Sequence, residues 1–233
     1  MRNPLIYFVL SLLIFSTACS NDDNEKSTPE IAELNLATPL DNSTCEGISI
    51  SSTKCKVTLY WEPTNDMDSY TLKVVNLETN KVVLIQNSIK TTSYTLTLDK
   101  NVPFSWTVSS FDSALKKRSS SLVWKFYASA GESAVNYAPF PADLIMPIQD
   151  KIVTAVDGKI TLKWAGSDTD SNGLKYTVYL DKVDGKQAPV TELINLSDTQ
   201  ANVSVESGVY YWRVKTSDAN SSSFSQIVRF RVK

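Results

Sequence analysis

Along most of the chain, apolar and polar residues alternate one for one. Val57, Leu59 and Trp61 interleave with Lys56, Thr58 and Tyr60, and Ile160, Leu162 and Trp164 interleave with Lys159, Thr161 and Lys163. A period of two is that of a β-strand with one buried face and one wet face. Tyr70-Leu72-Val74, Phe104-Trp106-Val108, Tyr176-Val178-Leu180 and Tyr210-Trp212-Val214 continue the pattern. Turn-rich segments such as 168–173 and 218–223 separate the runs. No long stretch of helical period follows residues 1–18, so the expected class is all-β, built from antiparallel sandwiches.

The pattern occurs twice. "KVTLYWEPTNDMDSYTLKVVN" at 56–76 matches "KITLKWAGSDTDSNGLKYTVYLD" at 159–181, and "PFSWTVSSFD" at 103–112 matches "VYYWRVKTSD" at 209–218. Trp61 and Trp164, like Trp106 and Trp212, lie about a hundred residues apart, the size of a whole domain. All four tryptophans sit at inward parity, which predicts core positions. Pro39 and Pro147 open the two units, and Phe126 and Phe230 close them.

This order of signals resembles fibronectin type III and related Ig-like domains of bacterial surface proteins. The resemblance covers residues 31–128 and 139–233, with 129–138 as a linker. It implies a corner tyrosine at the start of the sixth strand, its hydroxyl bonded to backbone. Tyr210 fits that position; the first unit has Phe104 there and lacks the hydroxyl. In the junction "NYAPFPA", Pro139 and Pro141 stiffen the chain around Phe140. Tyr137 and Phe140 are therefore expected to pack between the domains; a ligand-binding role is the alternative.

The N-terminus has a different pattern. Arg2 precedes an apolar run, Leu5 to Phe15, too short to span a bilayer. Ser16-Thr17-Ala18 then lead into Cys19. Small residues followed by cysteine resemble the lipobox of bacterial lipoproteins, although Ser16 is less apolar than usual for its place. The resemblance implies a signal peptide at 1–18, acylation of Cys19 and membrane attachment through its lipid, at roughly 0.8 kcal/mol per buried methylene. Residues 19–30 read as a polar tether. Within it, Ser20 to Asn24 resembles the acidic export signal of Bacteroidota surface lipoproteins, which implies an outer-membrane, surface-exposed location. "DSA" at 112–114 resembles the short O-glycosylation sequon of that group and points to Ser113.

The remaining cysteines, Cys45 and Cys55, are even in number and nine residues apart in a chain expected to be exported. A disulfide is expected, stapling the longer stretch that precedes Trp61 in the first unit; two buried free thiols are the alternative. "DTDSNG" at 168–173 has the first half of a calcium loop, but Tyr179 stands where a bidentate glutamate is needed. The expected reading is a polar hairpin loop. The sandwich nevertheless brings this loop to the end that carries Asp218, so Asp168, Asp170, Asn172 and Asp218 are a candidate set for a weakly held calcium ion, the sole cofactor considered.

Composition narrows the function. The 233 residues include no histidine, which removes the commonest general base and metal ligand. A formal net charge of −2 gives no footprint of a nucleic-acid binder. Two sandwiches use up the chain after the tether, and neither a G-x-S-x-G elbow nor a Gly-rich phosphate loop occurs. The expectation is a non-enzymatic surface lipoprotein whose domains act as a spacer or as an adhesive module for a glycan or protein. The alternatives are an accessory of an outer-membrane polysaccharide-processing system and a purely structural stalk.

Overall fold

The computed structural model describes residues 32–65, 67–114, 116–130, 136–171 and 173–233. The signal segment, the tether with Cys19, and Asn172 lie outside the described residues. Within them there is no α-helix, only one short 3-10 turn at Thr191–Leu193, and no helix long and apolar enough to cross a membrane.

The first sandwich comprises β1 (Ala32–Glu33), β2 (Leu36–Thr38), β3 (Ser43–Glu46), β4 (Ile48–Ser49), β5 (Lys54–Trp61), β6 (Ser69–Asn76), β7 (Lys81–Ile89), β8 (Ser93–Asp99), β9 (Val102–Phe111), β10 (Lys117–Ser120) and β11 (Trp124–Ser129). The second comprises β12 (Asp143–Met146), β13 (Ile152–Val153), β14 (Lys159–Ala165), β15 (Lys175–Asp181), β16 (Gln200–Ser204), β17 (Gly208–Ser217), β18 (Ser222–Phe224) and β19 (Val228–Val232). In each, a small sheet (β2, β4, β5, β8; then β12, β14, β16) faces a larger one centred on β9 or β17. Side chains from the two inner faces fill the space between them. The repeat is visible in the cores: Trp61 meets Tyr70 edge-on at 5.6 Å, and Trp164 meets Tyr176 at 5.7 Å. Trp61, Trp106, Trp164 and Trp212 are all buried. In the second sandwich Gly166 is required, because a Cβ there would run into the Tyr176 ring. The Tyr210 hydroxyl accepts the Glu206 backbone N–H at 3.1 Å. Phe104 instead packs tilted against Phe126, at 6.0 Å.

The sheets are not wholly antiparallel as expected. Three short pairs, β1 with β10, β3 with β11 and β13 with β19, run parallel. For the last two the cause is a divided first strand. Its first half pairs with the second strand in the small sheet, and after Pro39 or Pro147 its second half lies along the last strand in the large one. The stretch of 40–53 that is longer in the first sandwich holds a return crossing, from β3 in the large sheet to β4 in the small one. Gly47 sits at this crossing, where a Cβ would have no room against the Lys56 carbonyl.

β7 is a further difference between the copies. It pairs only with β6, and the register slips between Tyr70 and Leu72 and again between Val74 and Val75. β7 holds one extra residue at each slip, and Val82, Val83 and Ile85 are exposed. The second sandwich has no such strand. There the Asp181 carboxylate gathers the backbone N–H groups of Val183, Asp184, Gly185 and Gln187 into a loop.

Candidate functional site

The candidate residues of the junction and of the acidic loop form one site. Tyr127 points out of the first core from β11, next to inward-facing Phe126. Tyr137 and Phe140 pack on it, with ring centroids 4.7 and 5.0 Å away, and Leu77 closes the cluster. Phe140 is fully buried. The Tyr127 hydroxyl donates to the Ala138 carbonyl at 2.8 Å. Burial, and then the charges of Glu78, Asp168 and Asp170, push the phenol well above its ordinary pKa, so it serves as a neutral donor at any physiological pH.

Polar bonds surround this aromatic centre. Ser167 donates to Asn42 at 2.6 Å, joining the β14–β15 loop of the second sandwich to the β2–β3 loop of the first. The Phe140 N–H donates to the Ser167 carbonyl at 2.9 Å. Lys125 Nζ lies 2.7 Å from Asp143 and 5.8 Å from the Phe140 ring centroid.

Asp168, Asp170 and Asp218 converge here, one oxygen of each lying within 4.8 Å of the others. The fourth member of the set, Asn172, lies outside the described residues. Two of the carboxylates hold the linker. Asp170 accepts the Tyr137 N–H at 2.8 Å, and Asp218 accepts the Asn136 side-chain amide at 3.1 Å. Burial works to raise the Asp218 pKa, but the N–H groups of Asn220 and Ser221 and the Asn136 and Ser221 side chains outweigh it and hold the carboxyl below its usual range. Asp168 differs. Its Oδ2 is buried with no partner among the described residues, and burial followed by its bond to Asp170 raises its pKa to about 6. The neighbouring Thr169 hydroxyl is also buried with no partner among the described residues. The donor chemistry suits a hard cation, but three carboxylates, two of them already engaged, fall short of the six to eight oxygens calcium prefers.

The other candidates lie apart from this site. Ser113 is exposed in the turn between β9 and β10. Cys45 on the large sheet and Cys55 on the small one are free thiols that both contact the first core. Burial raises both thiol pKa values. Cys55 and Glu46 add to the rise at Cys45, while Lys100 opposes the rise at Cys55.

Sequence reasoning missed Tyr127, Lys125, Asn42, Ser167 and Asn136. One signal was available: Tyr127 is a large aromatic at outward parity in the closing strand, beside the junction.

No protein-family model matches the chain, and no curated protein sequence matches it. Among solved structures, the FN1–FN3 domains of chicken CNTN1 align over 87% of this chain and 69% of theirs, with 13% identity and a TM-score of 0.30. A two-domain fibronectin type III segment of chicken tenascin aligns over 86% and 97%, with 16% identity and a TM-score of 0.27. The central fibronectin-III array of RIM-binding protein aligns over 85% and 71%, with 12% identity and a TM-score of 0.27.

Proposed function

We propose that the chain is a non-enzymatic surface lipoprotein, held in the outer membrane through acylated Cys19, whose tandem sandwiches form a binding or spacer module. The junction carries the reading. A buried aromatic cluster, an ion pair and direct hydrogen bonds hold one sandwich against the next. A connection fixed in this way suits a module that presents its distal domain outward, and a free tether between domains would need none of it. The ligand class expected is a glycan or a surface protein. A weakly held calcium ion at Asp168, Asp170 and Asp218 belongs to the same proposal, as do a Cys45–Cys55 disulfide and a glycan on Ser113.

The test is fractionation and protease shaving of intact cells. Wild-type protein is expected in the membrane fraction and accessible to protease, while Cys19→Ala protein is expected to be soluble. A Cys19→Ala protein that stays in the membrane, or a wild type protected from protease on intact cells, overturns the reading.

A further inference from the structure

The outward face of the larger sheet in the second sandwich has a composition that the first sandwich does not share. The paired strands correspond position for position. Lys73 opposite Thr107 in the first copy becomes Tyr179 opposite Arg213 in the second, and Thr71 opposite Ser109 becomes Thr177 opposite Lys215. Phe224 on β18 stands opposite Lys215.

Arg213 lies between two rings. Its guanidinium carbon is 4.8 Å from the Tyr179 centroid and 4.3 Å from that of Phe224. Contacts of this kind hold the guanidinium plane in place and leave its charge uncompensated. The buried Nε of Arg213 finds no acceptor among the described residues. Two acids beside this face are committed elsewhere. Asp181 is turned into its loop by four backbone N–H groups, and Asp150 bonds Arg229. Arg213, Lys215 and Arg231 therefore share a face with Tyr179, Tyr211 and the 40% exposed Phe224.

We propose that this face binds an acidic polysaccharide, its carboxylates or sulfates meeting Arg213 and Lys215 and its sugar rings lying against the aromatic side chains. The inference rests on the reading of the chain as a binding module and names its ligand class. Guanidinium groups match carboxylate and sulfate geometry through paired N–H donors. Alternate residues on a strand are about 7 Å apart, so the cations are sparse. That spacing suits a polymer with one charge per sugar or two. A nucleic-acid duplex, with one charge per roughly 1.7 Å of axis, calls for a denser basic stripe. A flat sheet face with exposed ring also suits the flat C–H face of a pyranose better than a deep pocket would.

The experiment is affinity electrophoresis of the full chain, purified from membranes in detergent. The gels contain polygalacturonate, chondroitin sulfate or neutral dextran. Oligodeoxythymidylate and phosphatidylglycerol vesicles are tested in parallel by sedimentation. Retardation is expected in at least one acidic polysaccharide and not in dextran, and it should weaken with salt. It should fall at least tenfold in Arg213→Gln/Lys215→Gln and remain unchanged in Lys73→Gln, on the matching face of the first sandwich. Near-ultraviolet circular dichroism checks that each variant folds, and Lys215→Gln alone serves if the double variant does not. No binding of wild type to either acidic polysaccharide overturns the inference. So does a folded variant that binds like wild type, or equal binding to the oligonucleotide or vesicles. A wild type that ignores acidic polysaccharides but binds a neutral glycan or a protein overturns this inference and leaves the binding-module reading standing.

Discussion

The Ser167 hydroxyl donates a 2.6 Å hydrogen bond to Asn42 Oδ1, linking loops of the two sandwiches 125 positions apart in sequence. It lies beside Phe140, whose N–H is bonded to the Ser167 carbonyl. Removing the aromatic anchor should therefore loosen polar bonds as well. Phe140→Ala is expected to cost about 3 kcal/mol, the low end for a buried phenylalanine, because the gap opens at an interface that can relax. Solution scattering should show a broader distribution of inter-domain distances for the variant than for wild type.

Lys125 and Asp143 form an unequal pair, with side chains 7% and 63% exposed. Removing the exposed partner leaves an ammonium stranded in a nearly dry site, whereas an apolar replacement of the lysine removes that penalty. Asp143→Ala should cost about 1–3 kcal/mol and Lys125→Met much less. Urea denaturation of the two variants provides the comparison. An equal loss in both would mean that the pair acts through attraction alone.

Asp168 should make stability depend on pH. Its folded pKa, about 6, lies above the ordinary 3.8, so the folded state binds the proton more tightly. That contribution is complete below about pH 4 and is lost as pH rises through about 6. Asp168→Asn should therefore be more stable than wild type at pH 7.5, by on the order of 1 kcal/mol after discounting for solvent contact, and equal to it at pH 4. Chemical denaturation at the two pH values tests the sign.

The same carboxylate reports on calcium. Millimolar calcium chloride at pH 7.5 should raise the wild-type melting midpoint by a few degrees, about the response to 1 kcal/mol of linkage. Asp168→Asn should respond less. Equal shifts in both proteins would place any bound ion elsewhere.

Cys45 and Cys55 are expected to be joined in protein recovered from an oxidising compartment, adding about 2–3 kcal/mol by closing a short loop. Cys55 is buried and Cys45 partly buried, and burial raises both thiol pKa values, which slows thiolate chemistry once the sandwich has closed. The bond should therefore form during folding. Intact mass after alkylation without reduction should show no added label. Two labels would leave the pair as free core thiols.

The period-two pattern made the strands legible, because a sandwich strand has one dry face and states so in every second residue. Trp61, Trp106, Trp164 and Trp212 are core residues for that reason. The divided first strand was not legible. Its pieces, two to four residues long, are too short to carry a period, and their parallel partners lie at the far end of each domain. The junction was half legible. Prolines around Phe140 announced a stiff exit, but its partners Tyr127 and Lys125 sit in a strand whose outward positions look like any wet face. The convergence of Asp168 with Asp218 followed from sandwich topology; the use of Asp170 and Asp218 to hold the linker through Tyr137 and Asn136 did not.

The two extra residues in β7 matter when many copies stand side by side. Val82-Val83-Leu84-Ile85 on an open edge is the kind of segment that recruits strands from neighbours into growing sheets. Each slip kinks the edge and breaks the run of free backbone donors and acceptors, leaving only residues 84–86 in register between them. An edge bent at two places is a poor template for a neighbour's strand, so the slips that look like defects in β7 guard its most apolar stretch.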